Sequence, residues 1–477
     1  MIEKAKNHWL ILIILAAAQL MVVLDSSVVN VALPAVQHAF NLTSSGLQWV
    51  VTAYTLTFGG FLLFGGRAAD LFGRKKMFLI GITMFVLASL IDGMSQNGTM
   101  LVVLRAIQGL SAALMSPAAL SIILVTYREG HERNTALSIW GAVGAGGAAI
   151  GVLLGGVLTQ YLNWRWNFFI NIPIGITIFT LAWRLLPAHE SEEEHNDLDL
   201  PGAISVTGAA LLLVSGIANA PTNGWTSGAT IAYFVGAVIL LAFFIFNERR
   251  VKNPLVPLAI FKNRNLTGAN LVLFPVVASM FSTFFFGSLY MQNILHFDPV
   301  QTGLSFLITP ITIAITATNV PKLVKRIGFK PVLVAGPLFI LGALLVLAHV
   351  PVDGNYFVNV LPALVPLGIG AGMSFVSGTI AATSGVKPNE SGLASGLLNT
   401  SQQIGGSLGL AVLTGVASSA ATNYFTNLKT LPTQLTPLLA EVQGMHAAFY
   451  TGAGIALAAS LIAFFVIQSP KRLLQTT

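Results

Sequence analysis

Asp25 and Arg105 are the side chains on which chemistry would have to rest. Each sits inside a long apolar stretch, where an ionised group is costly: an Asp or Arg at the centre of a membrane helix costs about 2.5–3.5 kcal/mol on insertion scales. Such groups face a bundle interior or a water path, and they pair with one another or mark ion relays. Two readings stay open, a buried structural ion pair and a proton or cation site. Asp25 is the sole carboxylate well inside an apolar stretch, whereas Asp92, Asp298 and Asp353 fall near the outward ends. Desolvation and a neighbouring cation pull the proton affinity of a carboxyl in opposite directions. Small changes in hydration or partner distance can therefore load or release a proton. Arg105 stays protonated and would act as a fixed charge that tunes Asp25 or competes for it.

Polar and small residues at helical spacing surround these two. Gln19, Ser26 and Asn30 share one face of the first stretch. Arg105, Gln108, Gly109, Ala112, Ala113 and Ser116 form a stripe on the fourth, read as a packing face that also borders water or a partner. Gly144, Gly147, Gly151 and Gly155, followed by Gly156, leave one face of the fifth almost bare, for static packing or for a rocking interface. Gly392, Gly396, Asn399, Gln403 and Gly406 share a face of the thirteenth. The ninth holds Phe281, Phe284, Phe285, Phe286, Tyr290, Met291 and Gln292. Aromatics there pack, or hold a lipophilic cation by cation–π and dispersion contacts. Gln19, Ser26, Asn30, Gln108, Phe284, Phe285, Tyr290, Gln292, Asn399 and Gln403 are the cavity-lining candidates. No metal site is expected, since the chain has no cysteine and its 8 histidines are scattered.

The elements that must position these residues are membrane helices. The 477-residue chain is 9% charged and 55% hydrophobic, against about 25% charged in an ordinary soluble domain. So few charges cannot cover a soluble surface of this size, which excludes a soluble enzyme, a nucleic-acid binder and a disordered chain. A span needs about 20 apolar residues, and fourteen stretches qualify. They run roughly 9–33, 47–66, 77–94, 98–126, 135–161, 166–186, 203–220, 229–247, 268–291, 303–323, 331–350, 355–384, 391–419 and 447–468. The first follows Lys4 and Lys6 as a signal peptide would, but its length of about 25 residues and the lack of a small-residue cleavage site mark it as a retained span.

Positive charge sets the orientation. With both termini in the cytoplasm, the inward loops hold all but three of the 24 basic residues. Arg165 and Lys429 lie outward, and Arg105 lies in a span. The run Glu190, Glu192, Glu193, Glu194, Asp197 and Asp199 reads as a solvated linker. Gly66–Lys75 and Pro321–Lys330 are both short, basic and inward, with Gly73 and Gly328 seven residues past their starts. This weak repeat divides the chain into a six-helix half at 1–186, an acidic linker with two inserted helices and a basic loop at 187–267, and a second half at 268–477. Transporters commonly use such repeats, with the substrate path between the halves.

The chain resembles the major facilitator superfamily, and within it the fourteen-helix drug:proton antiporter branch of EmrB/QacA type. The resemblance covers the whole length. Leu24-Asp25-Ser26-Ser27-Val28-Val29-Asn30-Val31-Ala32-Leu33-Pro34 is similar to the branch's first-helix signature, and Arg105-Ala106-Ile107-Gln108-Gly109 to its proton-coupling motif. Trp164 through Gly175 is typical of the branch, while Gly66 through Lys75 matches the gating motif of the wider superfamily. The resemblance implies a proton-coupling role for Asp25 and Arg105. It implies a gating role for Gly66, Asp70, Gly73, Arg74 and Lys75, with the Asp and Arg holding a contact between halves when the cytoplasmic side is closed. Gly147, Gly151, Gly155 and Gly156 would form the fifth helix's antiporter motif. Here the sequence departs from the usual pattern, with Val152 where a proline is customary. Some relatives use further carboxylates in later helices for divalent organic cations, and their absence here favours neutral or monovalent lipophilic substrates.

The expectation is an all-α membrane protein that exports lipophilic drugs by proton-coupled alternating access, a multidrug efflux antiporter of a bacterial plasma (inner) membrane conferring antibiotic resistance. Its partners would be the substrate, protons and the bilayer, and it would work as a monomer without nucleic acid, ATP or cofactor. An exporter or importer of a specific metabolite, siderophore or lipid is the alternative. A membrane enzyme or sensor is disfavoured, because no nucleotide loop, metal cluster or nucleophile–base constellation appears.

Overall fold

The structure is a computed structural model that describes residues 2–128, 131–186, 199–386, 391–427 and 435–468. Glu190, Glu192, Glu193, Glu194, Asp197, Lys387, Lys429, Lys471 and Arg472 lie outside the described residues, and no strand occurs among the described ones. The first half comprises α1 (Ile2–Phe40), α2 (Ser44–Phe72), α3 (Arg74–Gly93), α4 (Gly98–Thr126), α5 (His131–Tyr161), α6 (Trp166–Phe169) and α7 (Asn171–Leu185). Two helices follow, α8 (Leu200–Asn223) and α9 (Gly228–Arg250). The second half comprises α10 (Arg264–Leu289), α11 (Pro299–Phe306), α12 (Ile308–Ile327), α13 (Phe329–Leu347), α14 (Leu361–Thr383), α15 (Ser391–Thr426) and α16 (Thr436–Val466).

These helices make 14 candidate spans, as the apolar stretches predict. The shortest has 19 residues and rises about 28 Å at 1.5 Å per residue, close to the thickness of a bilayer core. Two spans are broken where the sequence reads continuous ones: α6 with α7, and α11 with α12. The ninth span instead ends in a π-helical turn, Tyr290–Ile294.

Local chemistry sets the helix starts. Thr43 Oγ1 accepts from Gly46 N at 3.2 Å and Asn97 Oδ1 from Met100 N at 2.8 Å, capping α2 and α4. Asp298 and Gln301 form a capping box at α11. Gly73 and Gly328 hold φ of 95° and 85°, each joining the second and third spans of its half. Only glycine takes that conformation without strain, so the faint sequence repeat is a repeat of backbone shape.

Packing repeats too. In the first half α1 packs on α5, α2 on α4 and α3 on α4; in the second, α10 packs on α15, α12 on α14 and α13 on α14. These are the same span pairs in the same order, first with fifth, second with fourth, third with fourth. The halves meet along two seams, α2 against α15 and α5 against α11 and α12. The face where α1 begins is here the near face, and the opposite one the far face.

The inserted pair is asymmetric in its burial. Helix α8 lies in the groove where α2 and α15 meet, with Ala210 and Val214 packed against Leu56 and Ala411. Ser45 Oγ donates to Ala218 O at 3.3 Å. Helix α9 covers α8 and leaves Val235, Val238, Ile239, Leu241 and Phe243 exposed. Asp199 departs from the expected solvated linker. It is buried and caps α8, with Oδ1 accepting from Gly202 N at 2.8 Å and from Asn247 Nδ2 at 2.6 Å. The backbone N–H groups of a helix start need such an acceptor, and this acid supplies it.

Candidate functional site

Asp25 and Arg105 meet. Arg105 Nη1 donates to Asp25 Oδ2 at 2.6 Å, and the two side chains are 0% and 1% exposed. Helix α1 supplies the acid and α4 the base. Asp25 Oδ1 accepts two more bonds, from Gln108 Nε2 and from Asn171 Nδ2, each at 2.8 Å. Charge-assisted bonds of this kind are roughly twice as strong as neutral ones. Ser89 on α3 accepts from the same two amides, at 2.8 and 3.3 Å. Helices α4 and α7 therefore meet α1 at one carboxylate, and α3 backs the amides that hold it.

The guanidinium is held on every side. Its Nε donates to Val50 O at 3.2 Å, and Nη1 also donates to Gln108 Oε1 at 2.5 Å. The Tyr54 ring lies 4.3 Å from its central carbon and the Phe168 ring 5.8 Å, within cation–π range. Close helix approach allows this. A Cβ at Gly109 would collide with Tyr54 O and Thr57 Oγ1, so α4 lies against the α2 backbone. The small stripe on α4 is thus the α2-packing face, with Gly65 seated over Ala113 O.

The α5 glycines connect the pair to the seam. A Cβ on Gly151 would lie 2.6 Å from Ser27 Cβ, and one on Gly155 would lie 2.7 Å from Val28 O. Gly147 faces Leu20 and Val23. The stripe therefore rides on the stretch of α1 that carries Asp25. Gly156 turns to the other half, where a Cβ would meet Pro299 O at 2.5 Å, and Gly303 reciprocates against Val152 O. Gly144 does not join this face: nothing lies within 4 Å of a Cβ there. Toward the far face Val300 N donates to Gln160 Oε1 at 3.1 Å, and Gln292 Nε2 to Val31 O at 2.9 Å. The two halves are packed together at that face.

The remaining candidates are scattered. Gln19, Ser26 and Asn30 are partly buried on α1; Gln19 Oε1 accepts from Ser116 Oγ at 3.1 Å and Asn30 Nδ2 donates to Ser26 O at 3.0 Å. Gln108 belongs to the charge cluster, and Gln292 bridges the halves. Phe284 packs against Phe306, while Phe285 and Tyr290 are buried in the second half's core, where Tyr290 Oη donates to Pro351 O at 2.7 Å. Asn399 is exposed, and Gln403 sits under Gly59 where α2 crosses α15. One turn on, Thr55 Oγ1 and Ser407 Oγ share a 2.6 Å bond across that seam.

In the gating motif Arg74 Nη2 lies 3.5 Å from Asp70 Oδ1. Lys75 Nζ donates to Trp183 O at 2.8 Å and Leu186 O at 2.6 Å, a cation on the open carbonyls of α7. Both contacts lie within the first half. Also near this face, Tyr127 Oη donates to His8 O at 2.5 Å, and His8 Nδ1 lies 3.2 Å from Glu132 Oε1. Burial pushes the Tyr127 phenol up to about 12, and the His8 bond holds the Glu132 carboxyl below its ordinary range. Sequence reasoning missed Ser89, Tyr54 and Asn171 as members of the cluster. Asn167 and Asn171, four apart on the sixth span, were the available signal for a polar face.

Comparison with known proteins agrees with this architecture. The chain is 37% identical to a puromycin resistance protein of Streptomyces alboniger, over 97% of this chain and 92% of the relative. It is 37% identical to a cephamycin export protein of Amycolatopsis lactamdurans (86% and 85%) and 33% identical to a lincomycin resistance protein of Streptomyces lincolnensis (98% and 93%). Among solved structures, an inward-facing bacterial homolog of the human lysosomal transporter Spinster aligns with a TM-score of 0.67 over 97% of this chain and 99% of that one, at 14% identity, which shows the fold. A family profile described as Major Facilitator Superfamily matches residues 15–410. With that match, the 14 spans and the paired halves, the chain belongs to the Major Facilitator Superfamily.

Proposed function

We propose that this transporter is a proton-coupled exporter of lipophilic, cationic or neutral drugs, working by alternating access in a bacterial plasma membrane with its near face in the cytoplasm. The observation that carries the coupling is the Asp25–Arg105 pair, an acid bonded by a cation and two amides at the meeting point of four helices. Protonation of Asp25 removes the charge that holds Arg105, Gln108 and Asn171 together. The same event loosens α1, on which the α5 glycines ride. The orientation is supported by the basic residues of the near-face loops, and the drug class by relatives named for puromycin and lincomycin resistance. Asp70 and Arg74 would act on conformation at the near face, and Phe284, Asn399 and Gln403 would border the path between halves. Moving one charge through 100 mV supplies about 2.3 kcal/mol, and a pH gradient adds to it.

The test uses inverted vesicles with an imposed proton gradient. Substrate-dependent proton movement is expected in the native protein and lost in Asp25→Asn. Undiminished coupled exchange in that variant would defeat the assignment. A second reading, export of one specific metabolite, is supported by the relative named for cephamycin export. A susceptibility panel separates the two, since a dedicated exporter protects against one compound class and a multidrug exporter against several.

A further inference from the structure

Asp92 is the penultimate residue of α3, and the coupling reading gives it no role. Its side chain is 0% exposed, and neither carboxyl oxygen has a hydrogen-bond donor. No cation bonds it. Arg105, the buried cation of the neighbouring cluster on α4, is already committed to Asp25, Gln108 and Val50 O. Burying a bare carboxylate under these conditions costs several kcal/mol, so such a group carries its proton instead.

Its position suits a donor to the coupling site. Ser89, one turn earlier on α3 and about 4.5 Å along its axis, touches the amides of Gln108 and Asn171 that hold Asp25. Asp92 thus lies one step from the cluster toward the far face. On the broken sixth span, Asn167 stands one turn farther toward that face than Asn171, and each has a buried side-chain oxygen with no donor. Above Asp92 the chain is closed by Arg165, whose Nη1 donates to Gly93 O at 2.9 Å and Ser95 O at 2.6 Å while its guanidinium stacks over Trp164 at 4.6 Å. Ser95 is also fully buried, and the Phe169 ring fills the space a Cβ on Gly93 would need. Arg165, a far-side cation, therefore faces backbone carbonyls and acts as a cover.

We infer that Asp92 is a second protonation site that receives protons from the far face and passes them to Asp25 by a swap of partners. The O–H bond of Asp92 breaks and an O–H bond forms on Asp25, while Arg105 leaves Asp25 and pairs with the Asp92 carboxylate. The trio keeps the same total charge throughout, so the exchange needs no ion from outside the low-dielectric interior. Asp25, now neutral and free of Arg105, releases its proton toward the near face and re-forms the pair. Asp92 reloads from far-face water when the Arg165 cover lifts.

This inference rests on the proton-coupled reading of Asp25, and two measurements on reconstituted full-length protein separate the two claims. The first compares proton-driven transport with substrate counterflow, which needs no net proton movement. In Asp92→Asn, proton-driven transport is expected to fall by about 100-fold, as loss of a positioned proton donor does, with counterflow retained as evidence of a folded carrier. Asp92→Glu is expected to recover part of the loss. If Asp25→Asn abolishes coupling while Asp92→Asn keeps it, the relay is overturned and the coupling reading stands. If both variants stay fully coupled, both claims fail. The second measurement is the infrared carbonyl band of a protonated carboxyl in the resting protein. It is expected to be lost in Asp92→Asn and kept in Asp25→Asn. A band unchanged by Asp92→Asn would overturn the inference even if that variant failed to transport.

Discussion

Arg105 and Asp25 form a 2.6 Å ion pair in which neither side chain reaches solvent. Such a pair is a poor source of stability against an apolar replacement, yet breaking it from one side is severe, at about 3–5 kcal/mol. Arg105→Ala should therefore be strongly destabilised, with lower yield and melting temperature, because it leaves Asp25 buried without its cation. Asp25→Asn combined with Arg105→Gln should recover most of that loss without restoring coupling. Melting in detergent alongside proton flux measures both.

The α5 glycines set how closely α5 can lie against α1 and against the other half. Gly155→Val must push α5 off α1, since even a Cβ would lie 2.7 Å from Val28 O. Gly156→Val must prise α5 from Pro299. Gly156→Val should shift the population away from the packed far face, and both variants should reduce turnover by more than tenfold, about 1.4 kcal/mol or more. The chain lacks cysteine, so spin labels on single cysteines introduced at the far ends of α5 and α11 can report the distance without background. An unchanged distance distribution would count against a moving contact.

Gly73 and Gly328 occupy matching left-handed positions. An alanine at either should cost about 1–3 kcal/mol of strain, and Asn should bring no relief, because ψ of 126° and 165° lies outside the left-handed helical region it tolerates. Neither glycine contacts the Asp25 cluster in the described hydrogen bonds, so stability should fall with little change in proton stoichiometry. Thermal unfolding and flux measurements on the same preparations check this.

Tyr127 ties the first turns of α1 to the end of α4 through His8 O. Its phenol, ordinarily 10.0, stands at about 12 in the fold. A raised acid of this kind stabilises the folded form fully below pH 10 and loses that contribution as pH climbs through about 12. Glu132 works in the opposite sense: with its proton affinity lowered by His8, it contributes above the ordinary carboxylate range and ceases to as pH falls through the acid region. The α1–α4 tie should hold unchanged across neutral pH. Tyr127→Phe should remove the alkaline transition, as read by a distance probe between the start of α1 and Tyr127.

Much of this molecule was readable from the chain because membranes impose simple rules. Apolar length located the spans, and the scarcity of internal charge singled out Asp25 and Arg105. What stayed hidden was three-dimensional adjacency. Asn171 and Ser89 look like ordinary polar residues in apolar runs until four helices bring them to one carboxylate. Asp92 reads as a residue at an outer helix end, yet its side chain is fully buried. Asp199 looks like the last member of an acidic run, and its capping role depends on where α8 starts. Phe285 and Tyr290 carry the composition of a binding surface and lie in a core, because composition does not say which face of a helix turns inward.

The resting place of α8 has a consequence for how a greasy molecule reaches the interior. A two-half carrier has two lateral doorways through which a compound dissolved in the bilayer could slip sideways, one at each seam. Here the doorway between α2 and α15 is bricked up by α8, with α9 as a second course behind it. Lateral traffic from the lipid would then have to enter on the α5 and α12 side. The extra pair thus gives a nearly symmetric machine a front and a back.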